Sequence, residues 1–332
     1  MILIISSDND ITTNDVIDWL AHYKVPFCRI NNTTPVLVKN ITIEGNNTDF
    51  ELDLSMTDGK VLSLKYTEIK SVWFRRGKIN IWRNNFNEKR INHDKNEVIN
   101  AYLLREQLQV ESFINYMLSK KVCLNSIFDE PNTNKLKNLV VATECGLITP
   151  FTYVTSKKSE LLNLLSNENN QFITKPIKFG NIEFKNGSIG AATTMIANDD
   201  DNNLIADTFF PSLFQRYIDK KWEIRTFYLD KKLYSTAVFS QSNEKTKVDF
   251  RNYDEKKPNR VTPFSLPPDI ERKIILLMEK LGLNSGSLDL IYTPQKQFVF
   301  LEVNPVGQFN QVSVPANYYL EKEVAKFLIN EQ

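Results

Sequence analysis

Histidine and cysteine are the scarce residues of this 332-residue chain, and their scarcity removes whole classes of chemistry. Two histidines, His22 and His93, are too few for a site built on several imidazoles. Cys28, Cys123 and Cys145 are odd in number, widely spaced and form no CxxC pair. Neither a disulfide framework nor a cysteine zinc site is indicated, and reduced, partly buried thiols are expected. No charge of one sign dominates: 41 basic side chains face 40 acidic ones, for a net charge of +1. That balance gives no global electrostatic case for nucleic acid or a membrane surface, although a local basic groove stays open. No hydrophobic run approaches the roughly 20 residues of a membrane span. The apolar start at residues 1–5 gives way at once to Ser6-Ser7-Asp8, too short for a signal-peptide core and without a basic leader. The expectation is a cytoplasmic protein with no nucleic-acid and no membrane partner.

What is present is the composition of a globular protein, 42% hydrophobic and 24% charged, at a length that favours more than one domain. The chain opens as strand, helix, strand. Residues 2–6 are the first strand, Thr12 or Thr13 is placed to cap a helix running to about Tyr23, and residues 26–30 are the next strand. This is the start of a parallel, doubly wound sheet, but no glycine-rich turn follows the first strand, so the dinucleotide fingerprint is absent. Residues 36–70 read as an antiparallel meander with a hairpin turn at Thr57-Asp58-Gly59. The strand at 69–75 ends in Arg75-Arg76-Gly77. Trp73, Arg75 and Arg76 suit either a structural ion pair or peptide recognition. A long helix spans about 94–119, and another runs from Asn132 to Cys145, stopped by Gly146 before a strand beginning at 147–150. Further strands fall at 171–176, 213–218, 222–228 and 232–241, with a glycine-containing loop (Gly180, Gly187, Gly190) between the first two. Residues 243–263 read as a polar loop, and 267–281 as a helix closed by Gly282.

The segment from Asp289 to Pro305 carries most of the chemistry. It reads as two strands, 287–292 and 298–303, about a polar turn. Strand alternation puts Glu302 and Asn304 on one face, and the hairpin can return Asp289 to that face. Two carboxylates and an amide oxygen are a hard-oxygen set suited to Mg²⁺ held with nucleotide phosphates, or else ordinary solvated side chains. Lys175 ends an apolar strand and can reach a phosphate as a point charge or snorkel to water. Lys135 and Lys137 carry the same choice on the preceding helix. Gln215-Arg216-Tyr217-Ile218 is a strand whose backbone could pair with an adenine edge, and Glu223 and Arg225 share a face just beyond it. Arg251 and Arg260 flank the loop at 252–259; either could hold a carboxylate or phosphoryl group in two-point fashion.

That order of a helix lysine, a strand-end lysine before a glycine loop, a hinge strand, an arginine and D…E-x-N resembles the ATP-grasp fold. A closer resemblance lies in Ser71-Val-Trp-Phe-Arg-Arg76, Ile173-Thr-Lys-Pro176, Val248-Asp-Phe-Arg-Asn-Tyr253, Glu302-Val-Asn-Pro-Val-Gly-Gln-Phe309 and Asn317-Tyr-Tyr-Leu-Glu-Lys322. These resemble the graspetide (microviridin-type) peptide maturases, most of all the grasp-with-spasm subgroup. The resemblance implies an α/β (α+β) protein: a Rossmann-like pre-ATP-grasp domain with its linking helix at 1–120, a central ATP-grasp subdomain at 121–212 and a C-terminal subdomain at 213–332. It makes Asp289, Glu302 and Asn304 the magnesium ligands, Lys135 and Lys175 phosphate-side lysines, and residues 215–218 the adenine hinge. Glu223 becomes the ribose contact, and Arg225 and Arg251 the arginines near the γ-phosphate and the acceptor carboxylate. Gln215 stands where many ATP-grasp enzymes carry a glutamate, and Lys137 competes with Lys135. ATP and Mg²⁺ are the implied cofactors. The implied partner is a precursor peptide with a leader and a Thr/Glu-rich core, and a homodimer is implied as well.

In such a reaction a precursor Glu or Asp carboxylate attacks the γ-phosphate, giving an acyl phosphate and ADP. A Thr or Ser hydroxyl, or a Lys amine, then displaces phosphate to close an ω-ester or ω-amide ring. No nucleophilic Ser–His pair is needed, in keeping with the scarce histidine. Two other readings stand beside this one. One is a carboxylate–amine ligase resembling glutathione synthetase or the enzymes that add glutamate to a protein terminus. The other is a non-catalytic nucleotide- and peptide-binding scaffold, against which the intact D…E-x-N set speaks.

Overall fold

The computed structural model describes residues 1–81, 93–166, 171–178, 181–183, 189–191, 194–197, 205–243, 245–248 and 254–329. Its contacts divide the chain into two compact units, Met1–Pro131 with Tyr319–Gln332, and Asn132–Tyr318. No helix of the described residues is long and apolar enough to cross a membrane.

The first unit begins with β1 (Ile2–Ser6), buried along its whole length. α1 (Ile11–His22) follows, then β2 (Phe27–Asn31). The helix is capped by Asp10 and not by Thr12 or Thr13: Asp10 is extended, and its Oδ1 accepts from Thr13 N–H at 3.1 Å. Both threonines are turned into the interior instead. β3 (Val36–Glu44), β4 (Asn47–Ser55) and β5 (Val61–Lys65) form the expected antiparallel meander, with Gly45 and Gly59 at positive φ in its turns. β6 (Ser71–Phe74) returns parallel to β1. α2 (His93–Leu118), β7 (Val122–Leu124) and the single turn α3 (Asp129–Asn132) complete this stretch. The sheet order β2-β1-β6-β7 is parallel throughout. A parallel sheet is covered on both faces, which explains why its strands are apolar runs without alternation.

The strand β6 delivers Arg75 to the cap of α1. Arg75 Nε lies 3.2 Å from Asp10 Oδ2, with the two side chains 2% and 1% exposed. Of the two roles open to Arg75 in the sequence, its geometry is that of a sealed ion pair joining β6 to the β1–α1 turn.

The second unit opens with α4 (Lys135–Glu144), which starts three residues later than Asn132. The side chain of Asn134 accepts from the N–H groups of Leu136 and Lys137 and sets the start. Gly146, at φ +77°, ends the turn after it, as expected. β8 (Thr152–Lys157) begins beyond Pro150, not at 147; proline has no N–H for a ladder, and Ile148 makes only an isolated bridge to Val299. α5 (Lys158–Leu165), β9 (Phe172–Lys175), β10 (Asn181–Glu183), β11 (Ile189–Ala191), β12 (Met195–Ala197) and β13 (Thr208–Arg216) come next. The antiparallel order is β12-β9-β13-β8. Position 213 thus lies inside β13, and the strand ends at Arg216, so Tyr217 and Ile218 are beyond it. Of the glycine loop, Gly190 sits in β11 opposite Ile182, while Gly180 and Gly187 lie outside the described residues.

A second antiparallel sheet, β16-β15-β14-β17-β18, is built from β14 (Trp222–Leu229), β15 (Lys232–Phe239), β16 (Arg260–Phe264), β17 (Ser285–Tyr292) and β18 (Phe298–Asn304). Residues 260–263, expected in a loop, pair together with Phe264 against β15 as an edge strand, where Pro263 is tolerated in a ladder. Between β16 and β17, α6 (Pro268–Leu281) starts with proline in its first turn and ends at Gly282 in the left-handed region. It buries Ile270, Ile274, Leu277 and Met278 on one face, worth roughly 1.5–3 kcal/mol each. They pack with Leu288, Leu290, Phe300 and Val303 of the sheet, fixing the hairpin that carries the carboxylates. α7 (Asn310–Ala316) follows β18. The last helix, α8 (Leu320–Ile329), belongs to the first unit, packed on α1.

Candidate active site

The hairpin of β17 and β18 places Asp289 directly across the ladder from Glu302, and Ser287 across from Asn304. A bulge between Asp289 and Leu290 lets Leu301 stand unpaired and turn toward the cleft. On the other side of β17, Arg225 of β14 lies opposite Asp289. The ladder therefore sets guanidinium, carboxylate and carboxylate side by side on three adjacent strands, with the Asn304 amide two residues along.

Each carboxylate already faces a cation. Arg225 Nε is 3.2 Å from Asp289 Oδ1, at 11% and 17% side-chain exposure, and Lys135 Nζ is 3.0 Å from Glu302 Oε2, at 14% and 10%. Lys135 also donates to the carbonyl of Pro176 at 3.1 Å, which draws it to the end of β9 beside Lys175. Lys137 is exposed on α4, so Lys135 is the helix lysine the fold turns inward. Arg225 Nη1 donates to Gln311 Oε1 of α7 at 2.7 Å, and Asn304 Nδ2 approaches Glu302 Oε1 at 3.4 Å.

Asp289, Glu302 and Lys175 line one cleft with a cavity volume of about 70 Å³. Its apolar surface comes from Ile173, Ile218, Ile291 and Leu301, and its polar surface from Lys175, Gln215, Glu223, Asp289 and Glu302 among others. The hinge is less available than a bare strand end. The N–H groups of Arg216 and Tyr217 donate to the carbonyls of Phe151 and Gln171, at 2.9 and 2.7 Å. The Tyr217 carbonyl and Ile218 N–H have no backbone partner among the described residues and are what remains for a base edge. The Gln215 side chain is buried, its Nε2 donating to Thr152 Oγ1 at 2.9 Å.

Glu223 sits deep in the same wall. Burial pushes its carboxyl pKa above the usual range, opposed by Lys220 and by a hydrogen bond from Ser240. Lys220, which the sequence reading passed over, is buried with its Nζ 2.6 Å from Glu223 Oε1. Its only signal was position, in an Asp-Lys-Lys run that looks like a solvated turn. Gln311 was missed as well. Arg251 lies outside the described residues.

The run Pro305-Val-Gly-Gln-Phe309 has a local structural task. A Cβ on Gly307 would sit 2.5 Å from Ser287 Cβ, so only glycine lets the chain cross β17 on its way to α7. Ser287 Oγ donates to the Gln308 carbonyl at 3.2 Å, and the Phe309 ring packs on Phe227 with centroids 4.6 Å apart. The turn holds Asn304 and Gln311 against the carboxylate cluster.

The donor set fits Mg²⁺. The register sets the Asp289 and Glu302 carboxylates side by side with the Asn304 amide two residues along, the hard-oxygen groups that ion takes, and binding it there would displace Lys135 and Arg225. Among the described residues no group of three or more His, Cys, Asp or Glu side chains is arranged for a metal. A divalent ion would therefore take further oxygens from phosphates, as Mg²⁺ commonly does.

Two antiparallel sheets with a cleft between lysines and a D…E-x-N hairpin are the arrangement of the ATP-grasp ligase fold, and the second unit carries it. No family model matches the sequence, and no curated relative matches it. Among solved structures, the macrocyclase MdnC of Microcystis aeruginosa MRC, bound with its precursor peptide MdnA, is 25% identical; the alignment covers 100% of both chains at a TM-score of 0.77. A RiPP-associated ATP-grasp ligase of Chryseobacterium gregarium, in complex with ADP and a leader and core peptide, is 21% identical over 100% of this chain and 97% of that one, at 0.78. The ATP-grasp ligase PsnB, complexed with a phosphomimetic variant of its minimal precursor, Mg and ADP, is 14% identical over 99% and 97%, at 0.66. The resemblance to the graspetide maturases is borne out over the full length of the chain. The likeness does not extend to the grasp-with-spasm subgroup.

Proposed function

We propose that this chain is an ATP-dependent, ADP-forming peptide ligase that activates Glu or Asp side chains of a ribosomally made precursor and closes ω-ester or ω-amide rings. The observation that carries the nucleotide half is the register that sets Asp289 beside Glu302, with Arg225 on the next strand, in the wall of a cleft that Lys175 and Glu223 also line. The peptide half is supported by likeness to macrocyclases and ligases seen with precursor peptides.

In this reading the base lies against Ile173, Ile291 and Leu301 and meets the Tyr217–Ile218 backbone, with Gln215 and Arg216 behind it. Glu223 takes the ribose, and Lys135 and Lys175 the phosphates. Asp289, Glu302 and Asn304 hold Mg²⁺, which neutralises charge on the phosphates when bound. As phosphates arrive, Lys135 can leave Glu302 for them, and Arg225 can turn from Asp289 to the γ-phosphate or the acceptor carboxylate. Their present ion pairs hold both cations beside the two carboxylates that line the cleft. Arg251 is assigned the second arginine role from the family resemblance. The precursor carboxylate attacks the γ-phosphate, ADP leaves, and the hydroxyl or amine of the same peptide displaces phosphate.

The test is incubation with a Thr/Glu-rich precursor peptide, ATP and Mg²⁺. Loss of one water mass per ring together with ADP release is the expected result. ADP release with the peptide gaining the mass of an added free amine less one water, and no ring closed, would move the assignment to a glutathione-synthetase-like ligase. Nucleotide binding without ADP release would leave a scaffold.

A further inference from the structure

Lys220 has no place in the expected phosphate chemistry, yet it is the most enclosed charged group lining the cleft, its side chain 4% exposed. Its Nζ makes two contacts. It is 2.6 Å from Glu223 Oε1 and donates at 3.0 Å to the carbonyl of Val248. Ser240 Oγ donates to the same Glu223 Oε1 at 2.8 Å. One carboxylate oxygen of Glu223 is thus taken by two donors from two chain segments. Among the described residues the other oxygen, Oε2, has no hydrogen-bond partner, and it is not among the sealed polar atoms. Glu223 and Val248 both line the cleft, so Lys220 ties one wall to another at this point.

We infer that Lys220 is the positioning residue for the nucleotide's ribose: by occupying Glu223 Oε1 it fixes the carboxylate so that Oε2 accepts from a ribose hydroxyl. This deepens the nucleotide site proposed above and rests on it. A carboxylate in a dry wall is useful to a hydroxyl donor only while it is ionised and correctly turned. A neighbouring ammonium secures the first and the two-donor grip the second. Lysine suits the task because its single ammonium reaches the carboxylate and the Val248 carbonyl together, as a compact point charge with three donors.

The experiment compares affinity for ADP with that for 2′,3′-dideoxy-ADP, by calorimetry, in the full chain. The wild-type protein is expected to prefer ADP on the order of tenfold or more. Lys220→Met should compress that preference toward unity chiefly by weakening ADP. The dideoxy analogue, which never used the carboxylate, should bind with little change. A merely structural lysine would weaken both ligands equally, and that result overturns the inference. If Lys220→Met does not fold, Ser240→Ala removes the other Oε1 donor without stranding a charge; it should compress the ratio partly, and an unchanged ratio there is equally fatal. A wild-type protein that binds no ADP would overturn the nucleotide reading itself. One that binds ADP and its dideoxy analogue alike would overturn only the role of Lys220 and Glu223.

Discussion

Arg75 with Asp10 in the first unit and Arg225 with Asp289 in the second are the same chemical pair at the same 3.2 Å, yet they sit in opposite circumstances. The first pair is sealed, at 2% and 1% exposure, and one of its carboxylate oxygens also caps a helix. The second opens on a cleft and stands next to another carboxylate with its own cation, Lys135 on Glu302. A sealed pair is committed, because water has been excluded from it; Arg76 Nε, at 3.9 Å, is a second cation on the same Asp10 oxygen. An open pair is exchangeable: either member can take a ligand group of the right charge at modest cost, since water and neighbours remain at hand. Residue identity does not separate these cases. Burial and the second acidic neighbour do.

The largest expected effect breaks the committed side. Arg75→Met leaves Asp10 charged and enclosed, and should cost about 3–5 kcal/mol of stability, read as a shift of the urea unfolding midpoint. The double variant Asp10→Asn/Arg75→Met removes the stranded charge and should recover much of that loss. Near-equal single and double variants would mean the pair is not coupled, and the contrast between the two clusters would lose its first half.

Next in size is the open side. Asp289→Asn should lower ADP release on the order of 10²–10³-fold, the scale of losing one charge-stabilising group in a phosphoryl-transfer site. Its unfolding midpoint should stay near the wild-type value, because Arg225 retains Gln311 and cleft water as partners. Retained turnover would remove the metal assignment; a large loss of stability would make this pair as structural as the other.

How much of this contrast was readable in advance differs by element. The carboxylate hairpin was legible because strand alternation and a polar turn fix which side chains share a face, and the ladder placed Asp289 opposite Glu302. α6 was legible from its proline start, its apolar stripe and Gly282. The parallel sheet showed in uninterrupted apolar strands. What escaped depends on partners distant in sequence. Asp10 outcompeted the adjacent threonines as a cap because Arg75, sixty-five residues on, also needed it. Lys220 looks solvated in an Asp-Lys-Lys run, and only the arrival of β15 and Val248 encloses it. The bulge after Asp289 breaks strict alternation, and no turn residue announces it. β7 is three residues long and too short for any period.

The smallest expected effect concerns an acid of the first unit that belongs to neither pair and whose carboxyl is shifted by burial. Asp129 is half-buried; burial pushes its carboxyl up to about 6, with the hydrogen bond from Ser126 N–H pulling the other way. Its ordinary value in an unfolded chain is near 3.8, so between about pH 4 and 6 the folded state binds more protons than the unfolded one. Stability therefore falls as pH rises through that window, the reverse of an acid whose pKa the fold lowers. Partial exposure screens the effect and keeps it modest. Asp129→Asn keeps an oxygen for the Ser126 N–H and removes the ionisable group. The variant should match the wild type near pH 4 and exceed it slightly at pH 7, as measured by unfolding midpoints across the range. A variant less stable than wild type at pH 7 would show that the ionised carboxylate stabilises the fold, and burial would not be what governs this acid.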